Sequence, residues 1–223
     1  IGARDGHFSR LLADRFKSVI ALDLSQPEID HPGVTCVAGN AASLQFPDHS
    51  MDFVFCAEVL EHIPTAILAK VCQEIERVSR GQILIGVPYK QDIRSGRTTC
   101  RSCGEKNPPW GHVNSFDERR IAELFAHSLI ESISFVGLTT DRTNALSAKL
   151  MDLAGNPYGT YEQEEPCIHC GARLTTPIDR TLFQKVLTKL ALWIKAFLNL
   201  FSKPRGNWIH VQLSSAQRHE NFQ

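Results

Sequence analysis

A chain of 223 residues has room for one full α/β domain plus an insertion and excludes two large domains. Its 43% apolar content is that of a chain with a buried core and excludes wholesale disorder. Lys plus Arg and Asp plus Glu both total 24, so no general field draws a polyanion, which argues against RNA or DNA as a partner.

In chain order, short β-rich runs alternate with helical patterns, the signature of parallel βαβ units. A glycine turn leads into a helix over 8–16, followed by strands over 18–24 (SVIALDL), 34–38 and 51–56 (MDFVFC). Residues 66–79 form a helix with Ile67, Val71, Ile75 and Val78 on one face. A strand over 82–88 (QILIGVP) is closed by a proline that cannot continue a ladder. Ser115, with Glu118 three residues on, reads as the N-cap of a helix reaching about residue 127. Strands over 131–138 and 208–213 complete the set, and 139–207 is too long to be a bare loop. The expected fold is a doubly wound, mostly parallel α/β sheet. The chain opens on Ile1 rather than Met, and its first glycine turn has no strand before it, so we expect a piece of a longer protein.

Gly2-Ala3-Arg4-Asp5-Gly6 stands before the first helix, and Asp23 ends the next strand. Glycines let a backbone approach a ligand, a helix N-terminus offers N–H groups, and a carboxylate one strand over accepts ribose hydroxyls. The stretch IGARDGHFSRLL resembles the first motif of the class I S-adenosylmethionine-dependent methyltransferases, and LDLS resembles their ribose-binding strand end. AGNAASLQFPDHSMDFVFCAEVLEHIP is similar to the run that continues through that family, with V-L-E-H its most specific part. The resemblance covers about residues 1–138 and the last strand. It implies a Rossmann-like methyltransferase core in which Gly2 and Gly6 line the methionine and ribose. Asp23, with Leu24 after it, would take the ribose hydroxyls, Asn40 and Ala41 the adenine edge, and Glu58 a place near the methionine end. Arg4 replaces the family's middle glycine, and Asn40 replaces an acid, keeping an acceptor without the charge. The three-glycine spacing of a Rossmann dehydrogenase is absent.

Two further motifs, Cys100-Arg101-Ser102-Cys103-Gly104 and Cys167-Ile168-His169-Cys170-Gly171, share the form CxxCG. Thiolates three residues apart grip one side of a tetrahedral Zn²⁺, and the glycine permits the tight turn. We expect all four cysteines to hold one structural zinc, with redox dithiols as the alternative. The cysteine usage fits a reducing compartment, hence a cytoplasmic protein. Cys36, Cys56 and Cys72 fall in strand or helix patterns and read as core. The implied domains are a core over 1–138 with the first knuckle inserted at 90–114, an insertion over 139–207, and a last strand and tail over 208–223.

Methyl transfer to oxygen or nitrogen needs a positioned acceptor and usually a base. His62 (in VLEHIP) and His112 (in WGHVNSF, beside Trp110) are the candidates. The acceptor expected is a small molecule or a glycan- or lipid-linked one. The alternatives are an RNA or protein acceptor gripped by the zinc module, or a non-catalytic binding module on the same fold. The segment 182–201, LFQKVLTKLALWIKAFLNLF, reads as a long amphipathic helix whose polar face carries lysines and no acid. It either packs on the protein's own core or lies on an anionic membrane surface, which would place the protein peripherally on the inner membrane face.

Overall fold

The computed structural model describes residues 1–215, which divide into two compact units. The first comprises Ile1–Tyr89, Phe116–Val136 and the strand from Trp208, and the second Lys90–Ser115 with Gly137–Asn207. The first knuckle insertion therefore groups with the later insertion rather than with the core that surrounds it in sequence. The tail beyond residue 215 lies outside the described residues.

In the first unit, β1 (Val19–Asp23) pairs in parallel with β2 (Val34–Ala38), from Val19 opposite Val34 to Asp23 opposite Ala38. A second sheet has β3 (Met51–Ala57), β4 (Ser79–Pro88), β8 (Arg205–Ser215) and β7 (Ser128–Thr139) in that spatial order. The β3–β4 pair is parallel, but β8 runs antiparallel to β4, with Ile85 opposite Val211, so this sheet is mixed. Residues 1–3 lie between the two sheets: the Ile1 nitrogen donates to the Phe55 carbonyl at 2.9 Å and Gly2 N–H to the Leu22 carbonyl at 2.9 Å.

Helix α1 (His7–Ala13) stops earlier than its apolar pattern predicts because the Leu12 carbonyl accepts from both Arg15 and Phe16 N–H, closing the last turn. Helix α2 (Thr65–Val78) buries Leu68, Val71, Cys72, Ile75 and Val78 at helical spacing. Ile67, expected on that face, is exposed, so the buried stripe turns toward Leu68 and Cys72. The chain passes from α2 directly into β4 through Ser79, which is already extended. Helix α3 (Glu118–Leu124) is capped by Asp117, not Ser115. The Asp117 carboxylate accepts from Arg120 N–H at 2.9 Å, while Glu118 accepts from the Tyr89 hydroxyl at 2.7 Å. A carboxylate adjoining the first turn satisfies the orphan N–H groups and meets the positive end of the helix dipole.

The core of this unit packs α2 and α3 with Cys56 of β3, Ile83, Ile85 and Val87 of β4, and Ile209, Val211 and Leu213 of β8. Each such side chain contributes about 1.5–3 kcal/mol by leaving water. Cys56 and Cys72 are core residues, and Cys36 is half-buried.

The second unit contains a short antiparallel hairpin of β5 (Thr98–Thr99) and β6 (Lys106–Asn107), then α4 (Ala145–Leu153) and α5 (Leu182–Asn199). Helix α5 opens with a capping box, in which Thr181 Oγ1 accepts from Gln184 N–H and Gln184 Oε1 accepts from Thr181 N–H. Ser147 on α4 donates its hydroxyl to the Ala191 carbonyl of α5 at 2.8 Å.

Candidate cofactor site and cysteine centre

The turn between residue 1 and α1 is a left-handed loop, with φ of 72° at Gly2, 41° at Arg4 and 78° at Gly6. A Cβ at Gly2 would stand 2.2 Å from Val59 Cγ2, and one at Gly6 would stand 2.5 Å from Ile29 Cγ1. Both positions therefore need glycine for conformation and for space. Arg4 keeps its left-handed backbone with an exposed side chain. Its N–H donates to Asp23 Oδ2 at 2.9 Å, and Leu24 N–H donates to Asp23 Oδ1 at 2.7 Å. The carboxylate at the end of β1 is thus fixed against the glycine loop, with each oxygen keeping a second lone pair. After β2, Asn40 Oδ1 accepts from Ala42 N–H at 2.9 Å, an Asx turn that leaves Asn40 exposed and Ala41 buried. That loop is anchored from below. Glu74 accepts from Leu44 N–H at 2.8 Å, and Arg77 donates to the carbonyls of Leu44 and Phe46. The Arg77 guanidinium holds the Glu74 carboxyl down at about 2. Asp23, at the end of β1, is joined at one end of one unit by Gly2 and Gly6 before α1, Leu24 after β1, and Asn40 and Ala41 after β2.

The turn after β3 carries three ionisable groups. Glu58 has a left-handed backbone, φ 59°, and donates its N–H to the Gly86 carbonyl at 3.0 Å. Its side chain reaches solvent, although partial burial raises its carboxyl to about 7. Glu61 was not singled out by sequence reasoning, yet it is 0% exposed, and neither carboxylate oxygen has a hydrogen-bond partner among the described residues. Burial, with a smaller push from Glu58, lifts it to about 8, so it is protonated at neutral pH. A carboxylate oxygen of Glu61 lies within 4.8 Å of a ring nitrogen of the half-buried His62. The signal was present in V-L-E-H, where an acid stands inside an apolar run.

In the second unit, Cys100, Cys103, Cys167 and Cys170 place their sulfurs within 4.8 Å of one another. Cys100 and Cys170 are 3.6 Å apart, and Cys103 and Cys167 are 3.7 Å apart. A disulfide would bring a pair to about 2.05 Å. A tetrahedron with Zn–S bonds of about 2.3 Å has edges of about 3.8 Å, so the spacing fits a four-thiolate metal site. The two knuckles repeat one hydrogen-bond pattern. Cys100 N–H donates to Glu105 O and Gly104 N–H to Cys100 O, as Cys167 N–H does to Ala172 O and Gly171 N–H to Cys167 O. Gly104 and Gly171 take φ of 77° and 72°. Asn107 ties the knuckles together, accepting from Ile168 N–H at 2.9 Å. Backbone N–H groups favour the Cys100 thiolate, Cys103 N–H foremost. At Cys167 burial opposes the thiolate, but the N–H groups of His169 and Cys170 outweigh it and bring the thiol to about 6. Thiolate, not thiol, is the metal ligand.

His112 is buried in the second unit, with Nδ1 2.6 Å from Gln91 Oε1 and its ring 6.0 Å from Trp110. An amide oxygen can only accept, so a neutral His112 carries its proton on Nδ1 and presents Nε2 as an acceptor. His62 belongs to the other unit.

Residues 1–85 match the family model described as "Methyltransferase domain". A probable S-adenosylmethionine-dependent methyltransferase of Mycolicibacterium smegmatis is 33% identical over 64% of this chain and 51% of its own length. One of Mycobacterium tuberculosis, also described as probable, is 30% identical over 44% of this chain and 38% of its own length. The chain thus spans about half the length, or less, of these curated relatives. Among solved structures, a candidate methyltransferase of Bacillus halodurans aligns with 96% of this chain and 90% of its own, at a TM-score of 0.55 and 17% identity. The cyclase SpnF aligns with 96% of this chain and 72% of its own, at a TM-score of 0.52 and 14% identity. These likenesses show the fold, a Rossmann-like one with a mixed sheet.

Proposed function

We propose that this chain takes part in methyl transfer from S-adenosylmethionine to a small-molecule or glycan- or lipid-linked acceptor. One observation carries the reading: within the methyltransferase-matched residues, a glycine loop that admits no side chain at Gly2 or Gly6 is clamped to the carboxylate at the end of the next strand. Gly2, Gly6, Asp23, Leu24, Asn40, Ala41 and Glu58 would hold the cofactor. Asp23 keeps a lone pair on each oxygen for ribose hydroxyls, and the exposed Asn40 edge is available to an adenine. The cofactor supplies an electrophilic methyl group on a sulfonium. The protein's part is to orient the acceptor and take its proton, for which either His62 or His112 could serve as base. Glu61 lies close to His62 but makes no hydrogen bond among the described residues, so its part would be to keep a neutral carboxyl beside that ring.

The four cysteines would hold one zinc ion. Four thiolates leave no open position for water, so its role is structural. Calorimetric titration with S-adenosylmethionine tests the cofactor reading. Asp23→Ala is expected to weaken binding by about 1–3 kcal/mol through loss of charge-assisted hydrogen bonds. Unchanged affinity would remove Asp23 from the site. Labelled methyl transfer into pools of small-molecule, glycan and lipid acceptors then identifies the acceptor class.

A further inference from the structure

The large apolar side chains of α5 are not what it buries. Its buried strip is narrow, comprising Leu187, Thr188 and Ala191. At about 100° per residue, Leu182, Phe183, Val186, Leu190, Trp193 and Phe197 gather on a different sector. All six are exposed, from 49% at Leu190 to 78% at Leu182 and Trp193. The sector runs the 18 residues of the helix, about 27 Å at 1.5 Å per residue, and Phe201 continues it at 77% exposure. Lys185 and Lys189 border it on the side away from the buried strip, both exposed. No acid occurs between Arg180 and Trp208, whereas Lys185, Lys189, Lys195, Lys203 and Arg205 do.

A second feature of the same unit lies at the C-terminal end of α5. A cleft of about 710 Å³ is lined by Lys90, Arg94, Arg97, Arg142 and Arg205, with Asp92 the acid among them. Arg94 is paired with Asp92, and Arg97 with Asp152. Arg142 and Arg205 belong to the wall tied to α5: Asn199 accepts from Arg142 N–H at 3.1 Å, and Arg205 donates to the Asp141 carbonyl at 3.3 Å. Asp141 in turn pairs with Lys195 at 2.7 Å. The Arg205 Nε is buried without a hydrogen-bond partner among the described residues.

We infer that the second unit docks on an anionic lipid surface, with the apolar sector of α5 lying flat in the bilayer interface and the basic cleft receiving lipid phosphate groups. Among the described residues no helix is long and apolar enough to cross a membrane, so the helix lies on the bilayer rather than spanning it. An exposed apolar stripe with tryptophan and phenylalanine, bordered by lysines and free of acids, is complementary to that surface in both hydrophobicity and charge. An uncharged, apolar protein partner would cover the α5 sector but leave the basic cleft without a counter-charge. The inference is independent of methyl transfer, because its readout is partitioning alone.

The test is co-sedimentation of the whole chain with phosphatidylcholine vesicles, with and without phosphatidylglycerol, at low salt. Binding is expected to the anionic vesicles only and to be released by added salt. Lys185→Ser with Lys189→Ser should lower partitioning about 25-fold, each lysine being worth about five-fold near such a surface. Trp193→Asp with Phe197→Asp should abolish it while metal content and far-ultraviolet circular dichroism stay unchanged, since both side chains are exposed. Arg142→Ser should reduce the preference for anionic vesicles. Equal recovery in the supernatant with both vesicle types would overturn the inference. So would a concentration-dependent dimer that the Trp193→Asp/Phe197→Asp chain fails to form, which would make a second copy the occupant.

Discussion

A buried carboxyl without a partner is far costlier charged than neutral, and Glu61 carries that difference into the pH dependence of stability. Below about 4.5 the group is neutral in both the folded and the unfolded chain. From there to its folded value of about 8, the folded chain keeps a proton that the unfolded chain has lost. Stability therefore falls as pH rises across that window, and the contribution is fully lost above it. The effect is of order a few kcal/mol for a shift of this size. Glu61→Gln removes the ionisable group and keeps the volume, so its stability relative to the parent should rise from mildly acidic to mildly alkaline pH. Denaturant midpoints at the two ends of the window measure this, and parallel pH profiles for the two chains would refute it. Gly6 offers a separate test of the loop. Gly6→Ala forces an L side chain to φ 78° and into Ile29, which should cost at least about 1–2 kcal/mol in chemical denaturation.

At the scale of elements, the cysteine knuckles make the sharpest demand. In the proposed zinc site each would supply two ligands, so Cys167→Ser would leave three thiolates and should lose the metal even though the first knuckle is intact. Metal analysis of the purified variant decides it: zinc retained at one per chain would mean that the knuckles act separately. The CxxCG spacing made this centre legible in the sequence because ligand identity, spacing and the left-handed glycine are all local. Val34–Ala38 was equally legible, as a short β-rich run between turns. The face of α2 was less so. Ile67 and Leu68 are adjacent and equally apolar, and only packing against β4 selects Leu68. The cap of α3 went to Asp117 because two capping-competent residues stood two positions apart, and the periodicity is compatible with either. Helix α5 was legible as a helix, but its burial was not. A sequence period shows where the apolar side chains point and says nothing of whether protein stands there. Glu61 escaped for the opposite reason: its flanks fix its burial, but the missing partner is a property of three-dimensional packing.

The largest prediction concerns the molecule as two units with unequal cores. The first has a continuous cluster drawn from four strands and two helices. In the second, the buried apolar cluster at the knuckles comprises Cys100, Tyr161, Cys167 and Leu174, so two of its members are themselves metal ligands in the reading above. Hydrogen bonds add a frame around them: Tyr161 accepts from Thr99 N–H at 3.0 Å, and Asn156 donates to Thr99 Oγ1 at 3.0 Å. Such a frame is directional but contributes only about 0.5–1.5 kcal/mol per bond. Beyond the knuckles the unit buries mainly small side chains of α4 and α5, with Ala148, Leu187 and Ala191 among them, so a metal held by the four cysteines would supply much of its folding free energy. Withdrawing zinc with a strong chelator should therefore separate melting into two steps. The second unit should unfold early and lose its fixed Tyr161 and Trp110 environments, while the first should melt near its original temperature. Hydrogen exchange assigns the steps, with amides of α2 and β4 keeping their protection as those around both knuckles lose it. A single cooperative transition, shifted as a whole on chelation, would show that the first unit's core also depends on the metal. An unshifted one would show that the second unit folds without it.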